Sequence, residues 1–119
     1  MTHSISDISA TVEYMLDSAS QICMKHFRSQ VPFDIKQDDS PVTIADKAAE
    51  KALRDILAKR FPKHAIYGEE QGHSKGEGGT WVIDPIDGTK SFLLGNPLFG
   101  CLVGFVEDNV VKAGGLAMP

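Results

Sequence analysis

Cysteine is scarce in this chain. Cys23 and Cys101 are the only two among 119 residues, and no Cys-x-x-Cys spacing joins them. That excludes a paired-cysteine redox or zinc motif, and both read as small core residues of a protein kept in a reducing compartment. The four histidines, His3, His26, His64 and His73, lack the spacing of metal ligands. No apolar run approaches the roughly 20 residues a membrane-spanning helix needs, and Met1-Thr2-His3-Ser4 does not open a basic-then-apolar signal region. A cytoplasmic protein without a membrane partner is expected. Basic charge is short as well: 12 Lys and Arg stand against 16 Asp and Glu, for a formal charge of -4, and the basic residues are scattered. A nucleic-acid backbone is therefore not the expected partner. Repeats and linkers are missing too, so a hydrophobic content of 42% is read as one modest core in a single domain over residues 1–119.

What is present reads as an α+β arrangement, with two helices packed on a mostly antiparallel sheet. Ile8, Val12, Met15, Leu16, Ala19, Ile22, Cys23 and Phe27 recur at helical spacing behind the cap candidates Ser6 and Asp7. A short extended piece around Phe33 to Lys36 leads to a turn at Asp38-Asp39-Ser40-Pro41. Ala45, Ala48, Ala49, Ala52, Leu53, Ile56 and Leu57 then mark a second helix that ends near Pro62. Ala65-Ile66-Tyr67 predicts a short strand, and Gly72 to Gly79, with four glycines and mixed charge, predicts a mobile loop. Phe99–Val106 and Val110–Met118 predict a hairpin turning at Asp108-Asn109.

The chemistry concentrates in Asp84-Pro85-Ile86-Asp87-Gly88-Thr89, entered from the apolar run Trp81-Val82-Ile83 and followed by Lys90-Ser91-Phe92. Such a strand delivers Asp84 to a fixed point, Pro85 fixes its own φ, and Gly88 permits a tight turn. Two close carboxylates repel unless a cation keeps both ionised, and with the Ile86 carbonyl they make an oxygen donor set suited to a hard divalent metal. Gly88-Thr89-Lys90 stands where a short helix could begin, its amides facing an anion such as phosphate. A plain turn between two strands is the alternative meaning of the same dipeptides. Upstream, Tyr67-Gly68-Glu69-Glu70-Gln71-Gly72 offers a third carboxylate at a corner that Gly68 frees, or else a solvated acidic loop. Asp46 is either a metal-site residue or a helix cap, since Thr43 with an acid three residues on is close to a capping box. Lys36 either lies near the same acids or is an exposed lysine.

In order and separation, Pro41-Val42-Thr43 with Ala45-Asp46, Gly68-Glu69-Glu70, and Trp81 through Thr89 resemble the inositol monophosphatase family of metal-dependent phosphatases. The flank Lys90-Ser91-Phe92, Gly95 and Asn96-Pro97-Leu98-Phe99-Gly100 is most similar to the branch that dephosphorylates histidinol phosphate. The resemblance implies a fold like the amino-terminal half of a layered α/β sandwich. It also implies Mg²⁺, with Mn²⁺ as substitute, held by Glu69, Asp84, Ile86 through its carbonyl, and Asp87. Thr89, bonded toward Glu69, would activate the attacking water; Gly88 and Thr89 would hold the phosphate through their amides, beside Glu69, Ile86 and Asp87. Asp46 would serve a weaker outer metal position. Attack would be in line, without a covalent enzyme intermediate. Histidinol phosphate is the first expected substrate; an inositol, sugar or nucleotide monophosphate, or a non-catalytic metal-binding and assembly role, is the alternative. Family members are about twice as long, and their second half supplies a further metal-binding Asp. The chain is accordingly read as a partial domain that self-associates or needs a missing carboxy-terminal half.

Overall fold

The computed structural model describes residues 4–28, 33–35 and 41–119. The first helix, α1 (Ile5–His26), is capped by Ser4, whose Oγ accepts from the Asp7 amide at 3.1 Å. The helix thus begins ahead of the expected caps, Ser6 and Asp7. Both lie inside the first turn instead, where Asp7 adds a favourable charge to the helix dipole. Ile8, Val12, Met15, Ala19 and Cys23 form the buried stripe of α1. Two short strands, β1 (Phe33–Ile35) and β2 (Pro41–Thr43), pair antiparallel and lead into α2 (Ile44–Arg60). Lys36 and the turn expected over residues 38–40 lie outside the described residues.

Five further strands make the main sheet: β3 (Ala65–Gly68), β4 (Gly72–Ser74), β5 (Thr80–Asp87), β6 (Gly100–Glu107) and β7 (Val110–Ala117). Their order is β4-β3-β5-β6-β7, and only the β3–β5 pairing is parallel. The expected α+β fold with a mostly antiparallel sheet therefore stands. A third helix, α3 (Thr89–Leu93), adds a single turn after β5. The loop expected over Gly72–Gly79 is in part a strand, because the turn after Gly68 brings Gly72–Ser74 back against Ile66–Gly68. Asp108 and Asn109 turn the β6–β7 hairpin with φ of 54° and 62°, the left-handed pair that a two-residue hairpin requires.

Side-chain alternation sends Trp81, Ile83, Cys101, Val103 and Phe105 to the face covered by the helices, where they meet the stripe of α1 and Ala45, Leu53 and Leu57 of α2. Trp81 sits at one end of this core against Phe61 and Phe105, at ring separations of 5.4 and 4.7 Å. Its indole Nε1 donates to Nδ1 of the buried His64 at 3.0 Å. That bond assigns the remaining ring proton of a neutral His64 to Nε2. The opposite face carries Tyr67, Val82, Leu102 and Leu116, all exposed.

Candidate functional site

The acids of β5 owe their common direction to an irregularity in the ladder. Asp84 pairs with Leu102 and Asp87 with Gly100, so three steps along β5 match two along β6. One extra residue sits on β5, a bulge occupied by Pro85 and Ile86 opposite Cys101. Pro85, which has no amide proton, is tolerated there. In an unbroken strand, residues three apart face opposite sides. The bulge shifts the parity, which agrees with Ile83 and Ile86 buried in the core while Asp84 is half-buried and Asp87 exposed. The strand thus runs past Asp84 and ends at the second carboxylate, Asp87.

Glu69 reaches the same place from the neighbouring strand. Gly68 is in register with Ile83 in the parallel β3–β5 pair, so Glu69 and Asp84 are the next residues beyond two adjacent strand positions. Both line an open groove of about 990 Å³ that continues over Tyr67, Val82, Leu102 and Leu116. Gly68 does not have the positive φ of a corner glycine. Its role is to leave room, because a Cβ there would stand 2.7 Å from the Glu50 carboxylate.

A second group assembles at the start of α2 and α3. Thr43 Oγ1 caps α2, accepting from the Asp46 amide at 3.1 Å, and donates to Asp46 Oδ1 at 2.7 Å. Capping and burial coincide at Asp46, which is only 2% exposed, and the helix N-terminus favours its negative charge. Thr89 Oγ1 lies 3.4 Å from Asp46 Oδ2 and 3.3 Å from the Ile86 carbonyl oxygen. The hydroxyl is turned to Asp46 and Ile86, and not to Glu69, the partner that the family resemblance implies. Gly88, with φ of 90°, makes the left-handed turn between β5 and α3 that brings Thr89 back over Ile86.

Among the described residues, no three acidic, histidine or cysteine side chains converge closely enough to enclose a metal. The donors that the bulge and the strand ends present, Glu69, Asp84 and Asp87 with the Ile86 carbonyl, are nevertheless all hard oxygens. They fit one side of a Mg²⁺-type site, for which part of the coordination is commonly left to water and substrate. Cys23 and Cys101 stay outside this chemistry. Their sulfurs are 3.8 Å apart in the core, and Cys23 also points at the Pro85 carbonyl at 3.6 Å. The contact with Cys101, then burial, pushes the Cys23 thiol far above its ordinary range, which leaves it protonated and inert.

Glu50 escaped the sequence reading. It is fully buried on α2, and its carboxylate accepts from the Glu70 and Gln71 amides and from Arg54. The available signal was the four-residue spacing of Asp46, Glu50 and Arg54, which stacks all three on one helix face.

The sequence pattern of the inositol monophosphatase family matches residues 6–119. This chain belongs to the inositol monophosphatase family. It is 46% identical over 95 residues to a chloroplastic bifunctional phosphatase of Arabidopsis thaliana, covering 77% of this chain and 28% of that protein. A histidinol-phosphatase of Chlorobaculum parvum is 36% identical over 107 residues, covering 88% and 41%. Among solved structures, an inositol monophosphatase of Thermotoga maritima superposes with a TM-score of 0.86 at 31% identity, over 96% of this chain and 44% of that one. The chain spans less than half the length of these family relatives. No helix among its described residues is long and apolar enough to cross a membrane.

Proposed function

We propose that this chain supplies the amino-terminal part of a Mg²⁺-dependent phosphomonoesterase that hydrolyses a small phosphorylated alcohol, histidinol phosphate first. The observation that carries the proposal is that Glu69 and Asp84 directly follow the registered pair Gly68 and Ile83 of two parallel strands, with the bulge shifting the parity of Asp87 to that of Asp84. Similarity to a histidinol-phosphatase supports the substrate. Glu69, Asp84, Asp87 and the Ile86 carbonyl would hold the cation. When bound, it would supply a water activated for attack and would neutralise phosphate charge.

The remaining steps belong to the chain's own groups. Gly88 and Thr89 present backbone amides at the turn into α3, where a phosphate oxygen can accept from them. Thr89 Oγ1 can take a proton from the attacking water while passing its own to Asp46 Oδ2, its present neighbour. Asp46 is suited to receive it, because its other oxygen is already fixed by Thr43. Glu69 lines the same groove as Asp84, so the two carboxylates could share one ligand.

Phosphate release from histidinol phosphate, inositol 1-phosphate and fructose 1,6-bisphosphate, with Mg²⁺ and with chelator, tests this reading. It should be measured on the chain alone and on the translated reading frame that contains it. The longer polypeptide should prefer histidinol phosphate and lose all turnover to chelator. The isolated chain should be slower by at least the roughly 10²- to 10⁴-fold that loss of one proton-transfer group costs. Failure of the longer polypeptide on every ester would overturn the enzymatic assignment and favour a metal-binding or assembly role, which a chain shorter than half of its relatives would also allow.

A further inference from the structure

We infer that Glu50 and Arg54 of α2 form a clamp that fixes the Gly68–Gly72 turn and thereby positions Glu69; what Glu69 is positioned for rests on the metal-site reading above. Glu50 is 0% exposed, and a carboxylate withdrawn from water is costly unless its oxygens are satisfied. Here the partners are specific. Oε1 accepts from the Glu70 amide at 2.9 Å, and Oε2 accepts from the Gln71 amide at 2.7 Å and from Arg54 Nε at 3.1 Å. On its other edge the Arg54 guanidinium donates to Ser74 Oγ at 3.0 Å and to the Gly72 carbonyl. One helix therefore grips the outgoing and the returning leg of a single turn.

Glu69 is held from both sides. The residue before it, Gly68, is packed so closely on Glu50 that a Cβ there would displace the carboxylate, and the residue after it, Glu70, gives its amide to the same carboxylate. A buried ion pair is a poor source of stability, since apolar replacements are often neutral or stabilising. Its value here is positional, because both carboxylate oxygens are committed to the turn that carries an exposed acid. The clamp also ties the two halves of the site together. Asp46 and Glu50 lie one helical turn apart on α2 and are both buried, so the residue facing Thr89 and the residue fixing Glu69 share one rigid element.

Amide hydrogen exchange without metal and Mn²⁺ titration calorimetry test the clamp in Glu50→Ala, Glu50→Gln and Arg54→Met. Lys51→Ala, which breaks only the exposed pair with Asp55, serves as control. In Glu50→Ala the Glu70 and Gln71 amides should exchange at least about 10-fold faster while those of β5 and β6 do not. Mn²⁺ affinity should fall about 10- to 100-fold, as is usual when a group supporting a metal ligand is lost. Glu50→Gln keeps one acceptor for the two amides and should fall between wild type and Glu50→Ala; Arg54→Met should weaken Mn²⁺ less than Glu50→Ala. Affinity that follows the number of turn amides bonded, and not the melting temperature, marks positioning. If Glu50→Ala does not fold, Glu50→Gln and Arg54→Met decide by the same measures. Unchanged exchange at Glu70 and Gln71 overturns the clamp, and faster exchange with unchanged Mn²⁺ affinity overturns the positioning of Glu69. A wild-type chain that binds no Mn²⁺ sinks the metal reading instead, and exchange alone then decides the clamp.

Discussion

Single side chains decide whether the acids are donors or decoration. Asp84 sits at the last regular ladder position before the bulge and has little freedom to compensate for a change, whereas Glu70 is engaged through its backbone amide. Asp84→Asn should therefore weaken Mn²⁺ binding more than Glu70→Gln, and calorimetry giving equal affinities would remove Asp84 from the donor set. Gly68→Ala should be as damaging as a much larger change, because its Cβ would fall 2.7 Å from the Glu50 carboxylate. Overpacking of this kind costs about 1 to 3 kcal/mol, measurable by urea unfolding; a neutral result would mean that α2 gives way without loss. At the far end of the sheet, His64→Phe keeps the ring stack but leaves the buried Trp81 N–H without its acceptor. That change should cost about 1 to 3 kcal/mol in the same assay. Much of this was legible where the chemistry is contiguous: Asp84, Asp87, Gly88 and Thr89 lie within six residues. The partners of Thr89 and Glu50 were not, because the former includes a first-turn residue of α2 43 residues away and the latter are backbone amides, which side-chain identity does not encode.

Elements were legible in proportion to the strength of their apolar period. The stripes of α1 and α2 and the β6–β7 hairpin follow from Ile8-to-Cys23 spacing, Ala45-to-Leu57 spacing and the Asp108-Asn109 turn. β4 was missed because Gly72, His73 and Ser74 are all exposed and present no alternation; their strand conformation depends on pairing with β3, and Arg54 adds bonds to Gly72 and Ser74. The bulge in β5 was hidden for another reason. It is a mismatch between two strands, and neither sequence alone records it. The hairpin turn offers an element-scale test, since Asn109 holds φ of 62° and Asn accepts that region better than most residues. Asn109→Gly should raise the melting midpoint, and Asn109→Val should destabilise by about 1 to 2 kcal/mol, the cost of a left-handed conformation for a bulky residue. Equal midpoints for the two variants would show that the turn does not keep its left-handed form.

At the scale of the whole molecule, α1 and α2 cover one face of the sheet, and among the described residues nothing covers the other. Helices α1 and α2 shield Trp81, Ile83, Val103 and Phe105, but Tyr67, Val82, Leu102 and Leu116 stand 56%, 41%, 36% and 56% exposed on the opposite side. Among the described residues β7 pairs only with β6, which leaves its outer edge unpaired there, and Val110 and Val111 on it and Met118 just beyond it are 52%, 70% and 59% exposed. Exposed apolar faces and unpaired strand edges recruit other chains. Lys112 is the one charge on β7 that opposes this. The 119 residues on their own should therefore self-associate at micromolar concentration, or bind a separately supplied polypeptide corresponding to the unmatched part of their relatives. Sedimentation velocity with and without that polypeptide distinguishes the two, because the second predicts a defined heterodimer in place of a distribution of larger species. A compact monomer with a single cooperative thermal transition would mean that the open face is tolerated in water. The chain would then have to be treated as a self-sufficient domain, and the slow phosphate release proposed for it could no longer be ascribed to missing structure.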